Sequence, residues 1–333
     1  MKTTLMLPPY ADEQWHLARQ MGVRHAVAVL SPDLTGAPAP DDYETLLRFK
    51  TSFEDFGIKL VGLESNQFDM TRIKLGLPGR DQDIERFNRM LENMGRLGID
   101  LMCYNFMTVY GWFRTSSTTP ARGGAHCSSY SHRLMEHAPL SEYGEVSDER
   151  LWANLEYFLK ATLPVAEQYQ VRMALHPDDP PVSPIRGVAR IIRSVAAYER
   201  VFAVSDSPMN GCTFCQANFS LFEDIGDLRR VARRFVESGK VSFVHLRPVE
   251  GDRYEFRELF HDEGAVDFAE MLQLYADAGF DGPIRPDHAP AMYGEDHFNP
   301  SKGVLAAGYE IKGRLFAVGY MKGIMKARGI THE

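Results

Sequence analysis

Four side chains of the kinds that bind transition metals lie in the second half of the sequence: His176, Cys215, His245 and Asp287, which are 39, 30 and 42 residues apart. Each is placed at or just past the end of a short apolar run of the kind that forms a β-strand. In a parallel barrel the strand ends meet at one rim, and catalytic residues come from several of them. The sequence therefore predicts that these four residues form a metal site.

A thiolate, two imidazoles and a carboxylate form a donor set of intermediate softness, which suits Zn²⁺, Fe²⁺, Co²⁺ or Mn²⁺. An ion with open coordination positions polarises a carboxylate or hydroxyl group as a Lewis acid, without changing its redox state. This chemistry indicates a lyase or an isomerase. The sequence contains neither G-x-S-x-G nor the phosphate-binding G-x-x-x-x-G-K-[ST] motif, which argues against serine hydrolases and kinases.

Each candidate ligand taken alone has an ordinary structural interpretation. His176 could cap a helix or support other ligands, with Asp178 and Asp179 as solvated turn residues. His245 could be a core histidine that donates to a backbone carbonyl, and Asp287 could form a surface salt bridge. The joint position of the candidates after separate strands favours the metal site over these alternatives.

The pair Cys212 and Cys215 has the C-x-x-C spacing of a structural zinc site or a redox pair. A zinc ribbon needs a second such pair, and Cys103 and Cys127 lack the spacing. No thioredoxin-like context surrounds the motif, and two small buried side chains would also explain it. A structural zinc protein built on Cys212 and Cys215 therefore stays an alternative to the enzyme.

The chain has 333 residues, of which 44% are hydrophobic and 25% charged, so it can bury a large core. A net charge of −8 without a Lys/Arg block argues against nucleic acid and anionic membranes as partners. The apolar stretch before Pro8 is too short for a signal peptide. The sequence has no run of 18 apolar residues, so no transmembrane helix is predicted. Four cysteines do not make a disulfide framework, so a cytoplasmic protein is predicted.

Short apolar runs alternate about eight times with amphipathic segments and no linker divides them, so one domain is predicted over residues 1–333. The predicted strands are residues 3–7, 25–30, 59–63, 101–104, 171–175, 201–204, 242–245 and 283–285. The predicted helices include residues 43–56, 81–97, 148–168, 228–238 and 266–278. This alternation predicts an α/β fold, a (β/α)8 TIM barrel. A doubly wound sheet is the alternative, although no G-x-G-x-x-G motif opens the first helix.

The connection after the fourth predicted strand, residues 105–146, has no strand or helix periodicity and is predicted to be a long loop insertion. Loops of this length are usually functional or disordered. Aromatic residues near its start and the paired Gly123 and Gly124 favour an active-site loop or an arm at a subunit interface.

The chain contains, in this order, KLGLPGRD at 74–81, CYNFM at 103–107, HPDDPP at 176–181, NGCTFC at 210–215, FVHLR at 243–247, GFDGPIRPDH at 279–288 and GYEIKGRLFAVGYMKG at 308–323. In content and order these blocks resemble the mannonate dehydratase family. The resemblance implies a xylose-isomerase-like barrel, a divalent ion (Mn²⁺ or Fe²⁺), and conversion of D-mannonate to 2-keto-3-deoxy-D-gluconate and water. It places the metal ligands at the same four residues and implies a homodimer or a larger assembly.

The resemblance also implies the residues that move protons. His288 and Tyr309 are the candidates for removing the C2 hydrogen and for protonating the leaving C3 hydroxyl, and the sequence does not say which residue does which. A histidine or tyrosine tuned near the working pH suits these steps. Tyr309 could instead be an ordinary aromatic residue at the start of the last helix.

Several polar residues are candidates for binding the sugar acid. Asn105 directly follows a predicted strand, whereas Asn210 and Lys74 are weaker candidates. Arg247 and Arg285 offer forked donors to carboxylate or hydroxyl groups, but structural ion pairs under the barrel rim explain them equally well. The predicted substrate-binding set is Asn105, Arg114, Arg247, Arg285 and Asn210.

Two segments depart from the family pattern. Thr108 stands where the family usually has proline, and Gly111 stands where it has aspartate, although Arg114 is kept. The segments 108–135 and 289–308 are therefore expected to be rebuilt loops over the substrate. Alternative functions are a dehydratase, isomerase or epimerase for another sugar acid or keto-sugar, and a noncatalytic sugar-binding barrel.

Overall fold

The structure is a computed structural model that describes residues 1–295 and 308–333. Its strands are β1 (Lys2–Met6), β2 (His25–Ala28), β3 (Lys59–Glu64), β4 (Leu101–Asn105), β5 (Ser116–Pro120), β6 (His126–Ser131), β7 (Arg172–His176), β8 (Asn210–Cys215), β9 (Val241–Leu246), β10 (Val249–Gly251), β11 (Glu255–Glu258) and β12 (Pro283–Pro286). Its helices are α1 (Glu13–Gln20), α2 (Pro32–Thr35), α3 (Tyr43–Asp55), α4 (Thr71–Leu75), α5 (Arg80–Arg96), α6 (Asp148–Gln168), α7 (Val195–Ala203), α8 (Gln216–Ser220), α9 (Leu228–Glu237), α10 (Phe268–Asp277) and α11 (Ile311–Ala327).

Eight of these strands close into a parallel barrel in the order β1-β12-β9-β8-β7-β4-β3-β2. The predicted TIM barrel is confirmed, and closure rules out the doubly wound sheet. Seven predicted strands match barrel strands to within two residues at each end. That residues 1–333 form one domain stays a prediction.

One strand prediction is wrong. Residues 201–204 lie at the end of α7 and in its C-cap, and the sixth barrel strand is β8. The run at 201–204 is apolar because Val201 is buried on the inner face of a helix, and a short apolar run looks the same in a helix and in a buried strand. Cys215 is therefore the last residue of its own strand.

The five predicted helices are present with ends within two residues of those expected. The helix α6 matches its prediction at both ends. Ser147 caps it by accepting a hydrogen bond from the Arg150 backbone N–H, and Asp148 and Glu149 place negative charge in the first turn. Such capping signals make helix starts easier to predict than strand ends.

The predicted loop insertion at residues 105–146 follows the fourth strand, but it has secondary structure that its sequence does not indicate. The segment contains β5 and β6, which join β10 and β11 in a four-stranded antiparallel sheet of order β10-β11-β6-β5. The strand β5 has the sequence SSTTP and is mostly exposed, so it carries no apolar alternation that would reveal it. We call this structure the insertion sheet.

Two layers of core support the barrel. Its interior holds a small cluster that includes Met6, Val61, Leu101 and Phe243, and a larger apolar cluster fills the space between the strands and the surrounding helices. No helix in the described ranges is long and apolar enough to cross a membrane. The packed barrel holds the strand ends, where the candidate residues lie, in fixed positions.

Candidate metal centre and adjoining cavity

The structure brings the four predicted metal ligands together at the carboxyl end of the barrel. His176 ends β7, Cys215 ends β8, His245 is the penultimate residue of β9, and Asp287 directly follows β12. One ligand atom from each lies within 4.8 Å of the others. A metal bound at about 2.0 to 2.3 Å from each ligand needs ligand atoms spaced in this way.

His245 provides the best test of whether a metal fits. The residue has no measurable exposure, and neither ring nitrogen has a hydrogen-bond partner among the described residues. Its Nδ1 lies 3.8 Å from an Asp287 oxygen. A buried polar group without a partner is energetically costly. A metal ion bound to His245 in the functional protein would supply the missing partner.

The protonation states of the ligands also bear on the fit. Burial lowers the pKa of His176 to about 4 and that of His245 well below its usual value, so both rings are neutral at pH 7, as metal binding requires. Burial raises the pKa of Cys215 to about 12, and its thiol donates to Asn218 at 2.9 Å. Metal binding at Cys215 must therefore release a proton.

A second group of possible ligands, Glu64, Cys103 and His245, overlaps the first. Glu64 already accepts a 2.6 Å hydrogen bond from Arg285, and Cys103 is 3.1 Å from the Thr213 hydroxyl. The set His176, Cys215, His245 and Asp287 is the better metal site, because it offers four ligand atoms and the second group offers three.

A cavity of about 300 Å³ adjoins the metal ligands. His176, Asp287, His288, Tyr309 and Asn105 contribute to its walls. A larger cleft of about 940 Å³ lies at the opposite end of the barrel, but no metal-binding cluster of the described residues lies in it. We take the smaller cavity as the site, because the reactive side chains converge there.

His288 and Tyr309 stand side by side in this cavity, with ring centroids 4.9 Å apart. The Nδ1 of His288 lies 2.8 Å from a carboxylate oxygen of Glu258. The Tyr309 hydroxyl donates to Asp287 at 3.2 Å and accepts from Arg285 at 3.2 Å. Burial raises the pKa of Tyr309 well above its usual value, despite the opposing charge of Arg285, so its proton is retained at pH 7.

The three predicted substrate-binding arginines do not line this cavity. Arg285 pairs with Glu64 at 2.6 Å, and the buried Arg114 and Arg247 both pair with Asp179, at 2.5 and 2.7 Å. All three arginines thus form ion pairs, which is the alternative interpretation given above for Arg247 and Arg285.

Four of these charges form a group that we call the rim cluster: Arg114, Arg247, Asp179 and Glu258. Arg247 pairs with both carboxylates, and Arg114 lies 2.7 Å from Glu258. All four side chains are at most 3% exposed. Burial raises the pKa of Asp179, but the two arginines lower it by more, so Asp179 stays charged. Burial likewise raises the pKa of Glu258, but His288 and the same two arginines lower it by more, so Glu258 also stays charged.

The two predicted asparagines differ in position. Asn105 ends β4 beside His176 and lines the cavity. Asn210 begins β8 at the opposite end of the barrel, where its buried amide donates to the Val201 and Ser205 carbonyls. The prediction that Asn210 binds substrate is therefore corrected, because the whole length of the strand separates it from the site.

The sequence analysis missed three carboxylates at the site, Glu64, Asp179 and Glu258. Glu258 comes from the insertion sheet, where the pattern EFRE resembles an exposed strand. Asp178 and Asp179 are each 1% exposed rather than solvated turn residues, and only Asp179 reaches the cavity. Of these residues, only Glu64 could have been recognised from the sequence, because it is a charged residue at the end of an apolar strand, β3.

Comparison with known proteins identifies the family of this chain. A family model described as D-mannonate dehydratase (UxuA) matches residues 16–142 and 137–332. "Mannonate dehydratase 2" of Halalkalibacterium halodurans is 35% identical over 312 residues, covering 85% of this chain and 87% of the relative. The chain belongs to the mannonate dehydratase family. Members of the mannonate dehydratase family are metal-dependent hydro-lyases, which agrees with the cluster of ligands found here.

Solved structures agree with this assignment. The mannonate dehydratase from Streptococcus suis serotype 2 has a TM-score of 0.86 and 29% identity, and the match covers 100% of this chain and 96% of that one. A xylose isomerase domain protein from Planctomyces limnophilus has a TM-score of 0.60 and 12% identity, with 99% and 98% covered. The second likeness concerns the fold alone and confirms that the barrel is xylose-isomerase-like.

Proposed function

We propose that this member of the mannonate dehydratase family removes water from D-mannonate to give 2-keto-3-deoxy-D-gluconate, using a bound Mn²⁺ or Fe²⁺ ion. The observation that carries the proposal is the pair His288 and Tyr309 facing the same cavity as four converging metal ligands. An elimination of this kind needs an electron-withdrawing ion, a base and an acid around one substrate. Residues that would supply each of these three components line one cavity.

The residues that would hold the ion are His176, Cys215, His245 and Asp287. When bound, the ion supplies a Lewis acid that withdraws electrons from the C1 carboxylate and C2 hydroxyl of the substrate. The mixed sulfur, nitrogen and oxygen donors suit a borderline ion such as Fe²⁺ or Mn²⁺ better than Mg²⁺ or Ca²⁺.

We assign His288 as the base. The Glu258 carboxylate beside Nδ1 keeps the ring proton on that nitrogen, so the lone pair is on Nε2. Removal of the C2 proton by Nε2 sends the electron pair of the C–H bond into a C2–C3 double bond. The Trp112 ring packs edge-on against His288, with centroids 5.0 Å apart, and restricts its rotation.

We assign Tyr309 as the acid. Its hydroxyl is protonated and is held by Arg285 and Asp287, so it has a proton to give to the leaving C3 hydroxyl. The C3 group then departs as water. The enol that remains gains a proton at C3, loses the proton of its C2 hydroxyl, and so becomes the 2-keto acid.

The test is turnover of D-mannonate by metal-stripped protein re-supplied with Mn²⁺, with product measured as 2-keto-3-deoxygluconate. His245→Ala should lose both Mn²⁺ binding and product. His261→Ala is the matched control, because His261 is equally buried but bonds to the Leu246 carbonyl outside the ligand set. Stoichiometric Mn²⁺ binding without product from D-mannonate would reject this substrate.

A second candidate is the same elimination on another sugar acid, or an isomerisation or epimerisation of one. Gly111 and Trp112, in the segment that departs from the family pattern, line the cavity. The absence of a side chain at Gly111 changes the space and polarity offered to a substrate. Residues 296–307 of the second departing segment, 289–308, lie outside the described residues. A panel of aldonic acids tests this candidate, and turnover of any of them would exclude a noncatalytic barrel.

Two further expectations stay predictions: a cytoplasmic location and assembly into a homodimer or a larger oligomer. Two of the aromatic residues suggested for a subunit interface, Tyr110 and Phe113, pack against each other within the chain, with ring centroids 6.4 Å apart. Size-exclusion chromatography with light scattering measures the assembly directly.

A further inference from the structure

Lys74 is a buried cation next to the cavity that the mechanism does not use. It lies in α4, is 2% exposed, and has no carboxylate within ion-pair distance among the described residues. Its Nζ donates to three neutral oxygens: Oδ1 of Asn105 at 2.9 Å, the Met107 carbonyl at 3.0 Å, and Oδ1 of Asn66 at 3.2 Å. Burial lowers its pKa to about 7. A cation kept in such a place indicates a role.

The contacts of Lys74 fix the orientation of two amide groups. An ammonium group has three N–H bonds and no acceptor, so each of its three partners must present oxygen. Asn105 Oδ1 also accepts from the Met107 backbone N–H at 3.2 Å, which again requires oxygen at that position. Both asparagine side chains therefore turn their oxygens toward Lys74 and their NH₂ groups away from it.

The two NH₂ groups are left available to a ligand. Asn66 and Asn105 both line the cavity. In the part of the chain that the structure describes, no protein acceptor bonds to either NH₂ group. The NH₂ nitrogen of Asn105 is not among the fully buried polar atoms without partners, and Asn66 is an exposed residue, so both NH₂ groups reach open space.

We propose that Lys74 is a positioning residue, which orients the amides of Asn66 and Asn105 so that both donate hydrogen bonds to hydroxyl oxygens of the sugar-acid chain beyond C3. This inference rests on the proposed function. The metal ligands come from β7, β8, β9 and the residue after β12, whereas Asn105 ends β4 and Asn66 follows β3, the next two strands around the barrel. Both asparagines line the same cavity as His176 and Asp287, so the hydroxyls beyond C3 of a substrate held by its C1 and C2 oxygens at the ligands can reach them.

Direct binding of the substrate by Lys74 fits the structure less well. The residue does not line the cavity, and its three N–H bonds are already used. Lys74 thus acts through the asparagines. Its replacement should weaken substrate binding more than it slows the chemical step, because the reacting atoms C2 and C3 lie with His288 and Tyr309 instead.

The kinetic test compares Lys74→Met with wild type in D-mannonate turnover. Met preserves the length of the apolar stem and removes the donors. Loss of orientation at two hydrogen bonds should raise KM roughly 10-fold and change kcat less than about 3-fold. The matched control is Lys240→Met, because Lys240 donates to the Asn210 carbonyl at the other end of the barrel, and its KM should stay at the wild-type value.

Testing Lys74→Met in a protein that lacks both asparagine amides distinguishes positioning of the amides from direct contact between Lys74 and the substrate. In Asn66→Leu/Asn105→Leu protein, adding Lys74→Met should raise KM less than about 2-fold, because the groups that Lys74 orients are gone. A full 10-fold further increase in that background would overturn the proposal. An unchanged KM for Lys74→Met in otherwise wild-type protein would overturn it as well.

Neutron diffraction on the wild-type protein tests the inference without turnover. Deuterium on nitrogen should appear on the cavity side of both amides, with three N–D bonds of Lys74 directed at the three oxygens. An amide with its oxygen facing the cavity would refute the orientation. Absence of D-mannonate turnover in wild type, with both amides oriented as expected, would reject the substrate and leave the positioning role supported.

Discussion

Replacing Arg247 by methionine tests the energetic importance of the rim cluster. In the cluster, Arg114 and Arg247 balance Asp179 and Glu258, and all four are buried. The substitution Arg247→Met leaves two buried carboxylates facing one arginine. Removing one partner of a buried ion pair costs about 3 to 5 kcal/mol, because the remaining charge is neither solvated nor paired.

The cost converts into a measurable change in melting temperature. An unfolding entropy of about 2.1 cal/mol/K per residue gives about 0.7 kcal/mol/K for 333 residues. Metal-free Arg247→Met protein should therefore melt about 4 to 7 °C below metal-free wild type in scanning calorimetry at pH 7. The metal is removed because Arg247 Nε also lies 3.2 Å from Asp287, a proposed ligand.

The control is Arg229→Met, which removes an exposed arginine that pairs with Glu270 at 2.7 Å. Exposed pairs are worth about 0 to 1 kcal/mol, so this variant should melt within about 1.5 °C of wild type. Adding Asp179→Asn to Arg247→Met should restore part of the loss, since the unpaired charge is then removed. Equal melting temperatures for Arg247→Met and Arg229→Met would refute the argument from buried charge.

Three further predictions concern the metal, the acid and pH. Cys215→Ala should lose bound Mn²⁺ in elemental analysis while Cys212→Ala keeps it, and equal unfolding of both variants would instead support the structural zinc alternative. Tyr309→Phe should lower kcat by about 10² to 10⁴ with metal content unchanged, and a loss below 10-fold would exclude Tyr309 as the acid. The pKa of Asp179 is lowered relative to about 3.9 in the unfolded chain, so its stabilisation is present above that pH and disappears as pH falls through the folded value. Melting curves from pH 7 to 2 should thus show wild type losing stability below about pH 4 more steeply than Asp179→Asn does.

The barrel could be predicted from the sequence because its strands are continuous apolar runs, yet β8 was missed for a physical reason. Its first residues, Asn210 and Gly211, are typical of a turn. In the structure the glycine serves close packing, because a Cβ at Gly211 would lie 2.5 Å from the Ser242 hydroxyl and 2.9 Å from the Lys240 carbonyl. A glycine required by a neighbouring strand looks, in one sequence, the same as a glycine required by a turn.

The candidate site could be predicted where one residue type at a strand end was sufficient, as for His176 and His245. The residues that contact the site residues could not be predicted in this way. Glu258 meets His288 only because β11 pairs with β6, a contact between segments more than 120 residues apart that no local pattern encodes. Arg247 looked the same in the sequence as a substrate-binding or an ion-paired residue, and only the position of Asp179 separates these possibilities.

The insertion sheet is assembled from two separate excursions of the chain, one after β4 and one after β9. Arg114 belongs to the first excursion and Glu258 to the second, and the two side chains form an ion pair. During divergence, neither excursion can be exchanged freely while the other stays, because each holds half of a matched charge pair. A chimera in which one excursion comes from a relative should therefore retain activity when the incoming segment supplies the matching arginine or glutamate, and lose activity when it does not.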